Sequence, residues 1–399
     1  MSFVLRAETL VTPDGALSPG WLAASAGVIT GLGGGPGPPP AAGPAVELGA
    51  RTVAPGYFDV HVHGGDGAQV NGDSVEEVVE SLRHIARFHA RHGTTSLLAT
   101  TVSDSAERLA TTVGGVAAAM RHGIPGGAAI RGIHLEGPWL ARAKMGAQDP
   151  RSLRLPDVAE LRSLAAMAEG CIRMVTVAPE LPESEALIAA ACDLGIRVAI
   201  GHTDASYETT LAAIAAGARH ATHLFNAMTP LHHRRPGAVA AVLLDDRVTV
   251  ELIADLEHVH PAVMALVQRC AAGRVVAVSD AVSAAGLEPG RYQLGRLEVS
   301  VAEGRVTLAD DPSTLAGSLL TIDEAVRNLV TAAGLPLVEA LRAASATPAR
   351  AAGLSGHLGE IRVGAPADLV VLGPDLRVTA TVAGGDVVFD PSGILSALL

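Results

Sequence analysis

The chain has 399 residues, with 41 acidic against 29 basic side chains for a formal net charge of −12, and 49% of its residues are hydrophobic. This balance describes a folded globular protein and excludes a nucleic-acid or anionic-membrane partner as the expected one, because counterion release needs a basic face. There is no apolar run of about 18 residues and no basic-then-apolar leader, so a cytoplasmic protein without a membrane span is expected.

Before residue 55 the chain alternates short strand-like stretches, Phe3-Val4-Leu5 and Gly27-Val28-Ile29, with turns. Residues 32 to 44 are almost entirely Gly, Pro and Ala, which predicts an exposed loop. Strand-like sequence returns at Ala367 to Leu372 and Val378 to Phe389. The expected organisation is therefore a small β-domain built from both termini (1–54 and 365–399) around a larger unit at 55–364.

Within that larger unit, short apolar runs alternate with longer amphipathic segments, as in repeated βα units around a parallel sheet. Eight runs stand out: Tyr57 to Val62, Thr95 to Thr100, Ala129 to Leu135, Ile172 to Val177, Arg197 to Ile200, His220 to His223, Val248 to Ile253 and Val275 to Val278. Eight units predict an α/β fold of the (β/α)₈ TIM type. A helix is expected over Val75 to His89, capped by Asp73 or Ser74. Residues 287 to 312 break the rhythm and predict a hairpin insertion before a helix at Ile322 to Val330. The three cysteines, Cys171, Cys192 and Cys270, are widely spaced and odd in number, which predicts core thiols rather than disulfides or a cysteine metal site. His84, His89, His92 and His122 fall in or just after helices and are expected to face solvent.

Reactive groups in such a barrel gather at the carboxyl ends of the strands, so the residues ending each run are informative. The first run ends in His61-Val62-His63, the third in Glu136, the fifth in His202, the sixth in His223, the seventh in Asp255 with His258 close behind, and the eighth in Asp280. Side chains alternate along a strand, so His61 and His63 point to one face, where two imidazoles can offer nitrogen lone pairs. With Glu136, His202 and His223 they make a mixed N/O set suited to Zn²⁺ or another borderline divalent ion. Asp280 is placed to take a proton from an attacking water and deliver it to a leaving amine. After the sixth run, Asn226 to Gly237 concentrates His232, His233, Arg234 and Arg235, groups suited to an anion such as phosphate.

Several stretches together carry a family resemblance. Ala54 to Gly64 and Gly364 to Val370 resemble the amidohydrolase superfamily. His134 to Trp139, Gly201-His202-Thr203, Thr222 to Met228, Ser279-Asp280-Ala281 and Leu315 to Ser318 resemble, in order, the N-acetylglucosamine-6-phosphate deacetylases within it. The resemblance implies a homodimeric hydrolase of an N-acetyl amino-sugar phosphate, with one or two divalent ions per subunit, Zn²⁺ foremost and Fe²⁺, Mn²⁺ or Co²⁺ as alternatives. It implies Glu136, His202 and His223 as the principal ligands, His61 and His63 as an additional pair, and Asp280 as the general acid and base. It also implies substrate contacts at Asn226, Ala227, Arg234 (contributed across the dimer), His258 and Leu315. Three departures stand out. Gln148, a further substrate contact, replaces a habitual histidine, and can donate a hydrogen bond to a carbonyl but carry no imidazolium charge. Leu256 replaces a habitual glycine, adding bulk and disfavouring a positive φ. His233-Arg234-Arg235-Pro236 replaces an Arg-Glu-Pro order, leaving either arginine as the phosphate contact. A cyclic-amide hydrolase and a non-catalytic sugar-phosphate sensor are the alternatives. The first commonly needs a carboxylated lysine at a strand end, whereas the one lysine here, Lys144, lies outside the runs.

Overall fold

The computed structural model describes residues 2–35, 37, 44–356 and 358–398. Eight parallel strands follow one another in chain order around one sheet: β1 (Tyr57–Val62), β2 (Thr94–Thr101), β3 (Ala129–Glu136), β4 (Ile172–Val177), β5 (Arg197–Ile200), β6 (His220–Ala221), β7 (Thr249–Ile253) and β8 (Val275–Val278). The seam between β8 and β1 is drawn together just beyond β8, where Val62 bridges to Ala281 and the Asp280 N–H donates to the His61 carbonyl at 2.9 Å. This is the (β/α)₈ barrel expected from the eight runs. Both faces of the strands are covered, so even their polar residues are mostly buried: all eight residues of β2, five of them Thr or Ser, and all four apolar residues of β8 are buried. The sixth strand is shorter than its apolar run. It stops at Ala221 because the chain turns at His223, where φ is 23°.

Helix α1 (Val75–Arg91) begins where Ser74 accepts the Glu77 N–H, and buries Val78, Leu82 and Ile85. The same face buries His89, contrary to expectation: its Nε2–H donates to the Gly64 carbonyl at 3.0 Å, and burial pushes its pKa down to about 4. The neutral ring thus acts as a strut between helix and strand end, while His84 and His122 are exposed and His92 is half-buried. The cysteines also depart from expectation. Cys192 and Cys270 are exposed, at or near the ends of helices Ser184–Asp193 and Pro261–Cys270, and Cys171 is half-buried just before β4. Alanine, valine and leucine fill the core positions that thiols could have taken.

The insertion between β8 and the helix at Ile322–Thr331 is a three-stranded antiparallel sheet, Gly290–Leu294, Leu297–Ala302 and Arg305–Leu308. Its apolar face, Leu294, Val299, Val301 and Val306, packs on Val102, Val282 and Ala316 at the carboxyl end of the barrel.

The two termini together build two further sheets outside the barrel. One has the order Val28–Gly34, Gly20–Ser25, Ser2–Ala7, Ala45–Glu47; the other pairs Thr52–Pro55 antiparallel with Leu369–Leu372 and so joins the chain ends. They share a core of their own, including Phe3, Leu5, Leu22, Ile29, Val53, Leu369 and Val371. The expected loop at 32–44 begins later than its composition suggests, since a strand continues to Gly34. The Trp21 indole lies against Gly33, where a Cβ would meet its Nε1 at 3.0 Å, so glycine here serves a close packing contact. Residues 36 and 38–43 of that segment lie outside the described residues. No helix among the described residues is long and apolar enough to cross a membrane.

Candidate metal centre and substrate cavity

His61, His63, Glu136, His202, His223 and Asp280 converge at the carboxyl end of the barrel, all of them buried. His61 lies in β1 with His63 just beyond it, and Glu136 ends β3. His202, His223 and Asp280 each stand two residues past their strands, with φ of 47°, 23° and 51°. Left-handed backbone at non-glycine residues costs about 1–3 kcal/mol each and persists where surrounding bonds over-determine it. Here the bonds are evident. The His223 N–H donates to Glu251 Oε2 at 2.9 Å, and the Asp280 carbonyl accepts the Ser318 N–H at 2.8 Å.

The side chains form two groups that share a wall. His202 Nε2 and His223 Nε2 lie 3.1 Å apart and at 3.2 and 3.0 Å from Glu136 Oε1. His61 Nε2 and His63 Nε2 also lie 3.1 Å apart, with Asp280 Oδ1 at 3.5 and 3.2 Å. Glu136 stands between them, its Oε1 3.4 Å from His61 and its Oε2 3.4 Å from His63. Ligands about 2.0–2.1 Å from a tetrahedral ion sit roughly 3.3 Å from one another, so both groups have the spacing of a metal's donors.

The outer nitrogens favour the same conclusion. His63 Nδ1 faces the Thr100 carbonyl at 3.1 Å and His202 Nδ1 the Lys144 carbonyl at 2.9 Å. A carbonyl can only accept, so each Nδ1 carries the proton and each Nε2 of a neutral ring presents a lone pair inward. His61 Nδ1 faces Glu251 Oε2 at 2.9 Å in the same way. Facing lone pairs 3.1 Å apart repel unless a proton or a cation lies between them, and the neighbouring carboxylates add to that demand for positive charge. Burial lowers the His61 pKa, yet Glu251, Glu136 and Asp280 together raise it to about 10. Burial likewise raises Glu136, but His61 and His202 hold its carboxyl well below the usual range. The donor set fits a divalent ion in either group or in both.

A cavity of about 270 Å³ opens on this cluster, lined by His63, Glu136, His202, His223 and Asp280 and by the expected substrate contacts Gln148, Asn226, Ala227, His258 and Leu315. Gln148 is already engaged: it donates to Glu136 Oε2 at 2.6 Å and accepts the Ser103 N–H at 2.7 Å. His258 is held by Asp255, Nδ1 to Oδ2 at 2.6 Å. Leu256 takes the positive φ that leucine disfavours, 71°, and directs its bulk to solvent rather than into the cavity. Arg234 and Arg235 are not brought to this cavity within one chain. They line a separate cleft with Asp204, Tyr207, Glu208 and His232, where the Arg234 guanidinium lies 2.7 Å from His233 Nε2. Lys144 is in a short turn after β3 and contributes its carbonyl rather than its ammonium to the centre.

Beneath the ligands lies a layer that sequence reasoning missed. Glu251, fully buried in β7, accepts from His61 Nδ1, His220 Nε2 (2.8 Å) and the His223 amide. His134 bridges the Val60 carbonyl and Thr176 Oγ1, and its pKa is pushed down to about 3, first by burial and then by His61. Glu251 had a legible signal: one carboxylate inside the apolar run Val248 to Ile253.

A parallel barrel with imidazoles and carboxylates gathered at its strand ends is the architecture of metal-dependent hydrolases. The chain belongs to the amidohydrolase family, whose profile matches residues 52–388. It is 39% identical over 378 residues to the N-acetylgalactosamine-6-phosphate deacetylase of Escherichia coli O157:H7, covering 95% of this chain and 97% of that one. With the N-acetylglucosamine-6-phosphate deacetylase of Vibrio furnissii the identity is 36%, over 87% of this chain and 85% of that protein. Among solved structures, a mutant N-acetyl-D-glucosamine-6-phosphate deacetylase from Mycobacterium smegmatis, in complex with N-acetyl-D-glucosamine-6-phosphate, superposes with a TM-score of 0.91 at 40% identity, covering 97% of this chain and 99% of that one.

Proposed function

We propose that this chain hydrolyses the acetamide of an N-acetylhexosamine 6-phosphate, releasing acetate and the free amino-sugar phosphate. The observation that carries this reading is the placement of Glu136, two imidazole pairs and Asp280 around one end of a cavity sized for a monosaccharide. Glu136, His202 and His223 would hold a divalent ion, Zn²⁺ by the chemistry of the donors, with His61 and His63 holding a second. When bound, the metal supplies Lewis acidity toward the amide carbonyl and a nucleophilic water near neutral pH. The remaining work belongs to side chains. Asp280 takes a proton from the attacking water as its oxygen bonds to the carbonyl carbon, then gives that proton to the nitrogen as the C–N bond breaks. His258, held by Asp255, faces the sugar hydroxyls, and Leu315 walls the acetyl side.

Removing both members of the first pair, His61→Gln with His63→Gln, is expected to lower metal stoichiometry or affinity while the Glu136, His202 and His223 group still loads. Metal analysis after equilibrium dialysis checks this, and unchanged metal content and activity would make the pair purely structural.

None of the described residues lining the cavity is lysine or arginine. A guanidinium for the substrate phosphate would come from outside this cavity, beside the backbone of Asn226 and Ala227, and we propose a homodimer in which Arg234 reaches the partner's cavity. We place the chain in the cytoplasm, since a phosphorylated sugar is too highly charged to cross a bilayer unaided. The galacto and gluco epimers both remain candidates, since relatives of near-equal identity are named for each. The deciding assay measures acetate release from both N-acetylhexosamines, with and without the 6-phosphate. Preference for a phosphorylated substrate is expected, and Arg234→Ala should raise KM for it more than it lowers kcat. Equal or better turnover of unphosphorylated sugars, unaffected by Arg234→Ala or Arg235→Ala, would overturn the reading.

A further inference from the structure

Gln148 has both ends of its amide committed. A backbone N–H can only donate, so the Ser103 amide, 2.7 Å from Oε1, dictates which end of the carboxamide faces it. Nε2 is thereby turned to Glu136 Oε2 at 2.6 Å. Gln148 is 4% exposed, so little water competes for this bond although the residue borders the cavity. Ser103 is in turn held near the end of β2, where Asn71 pairs through its carboxamide with the N–H and carbonyl of the neighbouring Val102. The same segment, residues 139 to 150, presents the Lys144 carbonyl to His202 Nδ1. One loop thus sets the orientation of one carboxylate and one imidazole in the cluster.

We propose that Gln148 is a positioning residue for Glu136 rather than chiefly a sugar contact, a proposal that rests on the metal-centre assignment above. Glu136 directs Oε1 to His202 and His223 and Oε2 toward His63. Rotation of its carboxyl group about the last side-chain bond would break both alignments, and the Gln148 N–H opposes that rotation. Where a histidine would place a group able to carry charge in the cavity wall, this chain uses a neutral amide that braces the carboxylate from the side.

The test is a titration of the metal-free protein with Zn²⁺ against a chromophoric chelator, for wild type and Gln148→Met, which keeps length and loses the donor. A loss of about 10- to 100-fold in Zn²⁺ affinity is expected, the usual effect of removing a group that orients a ligand. The Co²⁺-loaded variant should also show an altered visible spectrum, which a distant structural change would not produce. At saturating metal, KM for the sugar phosphate should move by less than about threefold. Unchanged Zn²⁺ affinity with a raised KM would make Gln148 a sugar contact and overturn the proposal. If circular dichroism shows Gln148→Met unfolded, Gln148→Ala goes through the same titration with the same outcomes. Failure of the wild-type protein to release acetate from any hexosamine phosphate would remove the substrate assignment and leave the Zn²⁺ titration standing as a separate result.

Discussion

Asp280→Asn is expected to reduce kcat by about 10² to 10⁴, the range that a positioned general acid or base contributes. The carboxylate has the right place and charge state. It lines the cavity, its Oδ1 is 3.2 Å from His63 Nε2, and although burial raises its pKa, His61 and His63 outweigh that effect and hold it below the ordinary aspartate value. It is therefore ionised and able to accept a proton at neutral pH. Asparagine fills the same volume and leaves intact the backbone bonds to His61 and Ser318 that hold the turn, so the fold should survive. The amide cannot take up a proton from water. Acetate release measured at saturating metal, with metal content determined on the same samples, separates this loss from loss of the ion. Near-normal turnover by a fully loaded variant would assign the base elsewhere.

Glu251→Gln should be the most damaging single change away from the cavity wall. The carboxylate is fully buried and receives three donors from three directions: His61 Nδ1, His220 Nε2 and the His223 N–H. A glutamine can satisfy only donors that meet its oxygen. Its NH₂ group would face a nitrogen that had donated: His220 Nε2 if the amide oxygen keeps His61 Nδ1 and the His223 N–H, or those two if it keeps His220, and in either case the buried negative charge opposite His61 is gone. Breaking a buried charged pair from one side costs about 3–5 kcal/mol, and losing a partner that orients a ligand costs about 10- to 100-fold in metal affinity. Denaturant melts of the metal-free protein measure the first, and chelator competition the second. The stability loss should be present at neutral pH and shrink as acid is added. Burial raises Glu251, but His61 and His220 hold it well below the usual range, so its contribution exists above the unfolded-state value of about 4.3 and fades only as pH falls toward the folded one. A variant as stable as wild type, with unchanged metal affinity, would reduce Glu251 to a packing residue.

Much of the centre was legible because a barrel brings equivalent strand ends to one axis. Counting runs from Tyr57 to Val278 and noting what followed each was enough to collect His61, His63, Glu136, His202, His223 and Asp280. The supporting layer was less legible for a physical reason. Glu251, His220 and His134 lie inside strands, where hydrophobic periodicity is the signal being sought and a polar residue looks like an interruption. His89 and the cysteines were misjudged because helical periodicity shows which face is apolar, but not which polar side chain finds a carbonyl across the gap, nor which apolar residue wins a core position.

The (β/α)₈ barrel, the terminal strands outside it and the identity of the residues at the strand ends are all readable along the chain. Those properties follow from local patterns: apolar runs of strand length, amphipathic spacing, and His, Glu or Asp at a run's end. Which donors face one another, and which are spent on support, follows from packing between distant segments. That Glu136 stands between two imidazole pairs, that Gln148 braces it, and that Leu256 turns outward at φ 71° depend on distances between residues far apart in the chain and on backbone angles. Arg234 shows the limit most plainly. Its charge was visible from composition, but whether it serves the cavity depends on where the fold puts its loop, and within one chain that is a separate cleft.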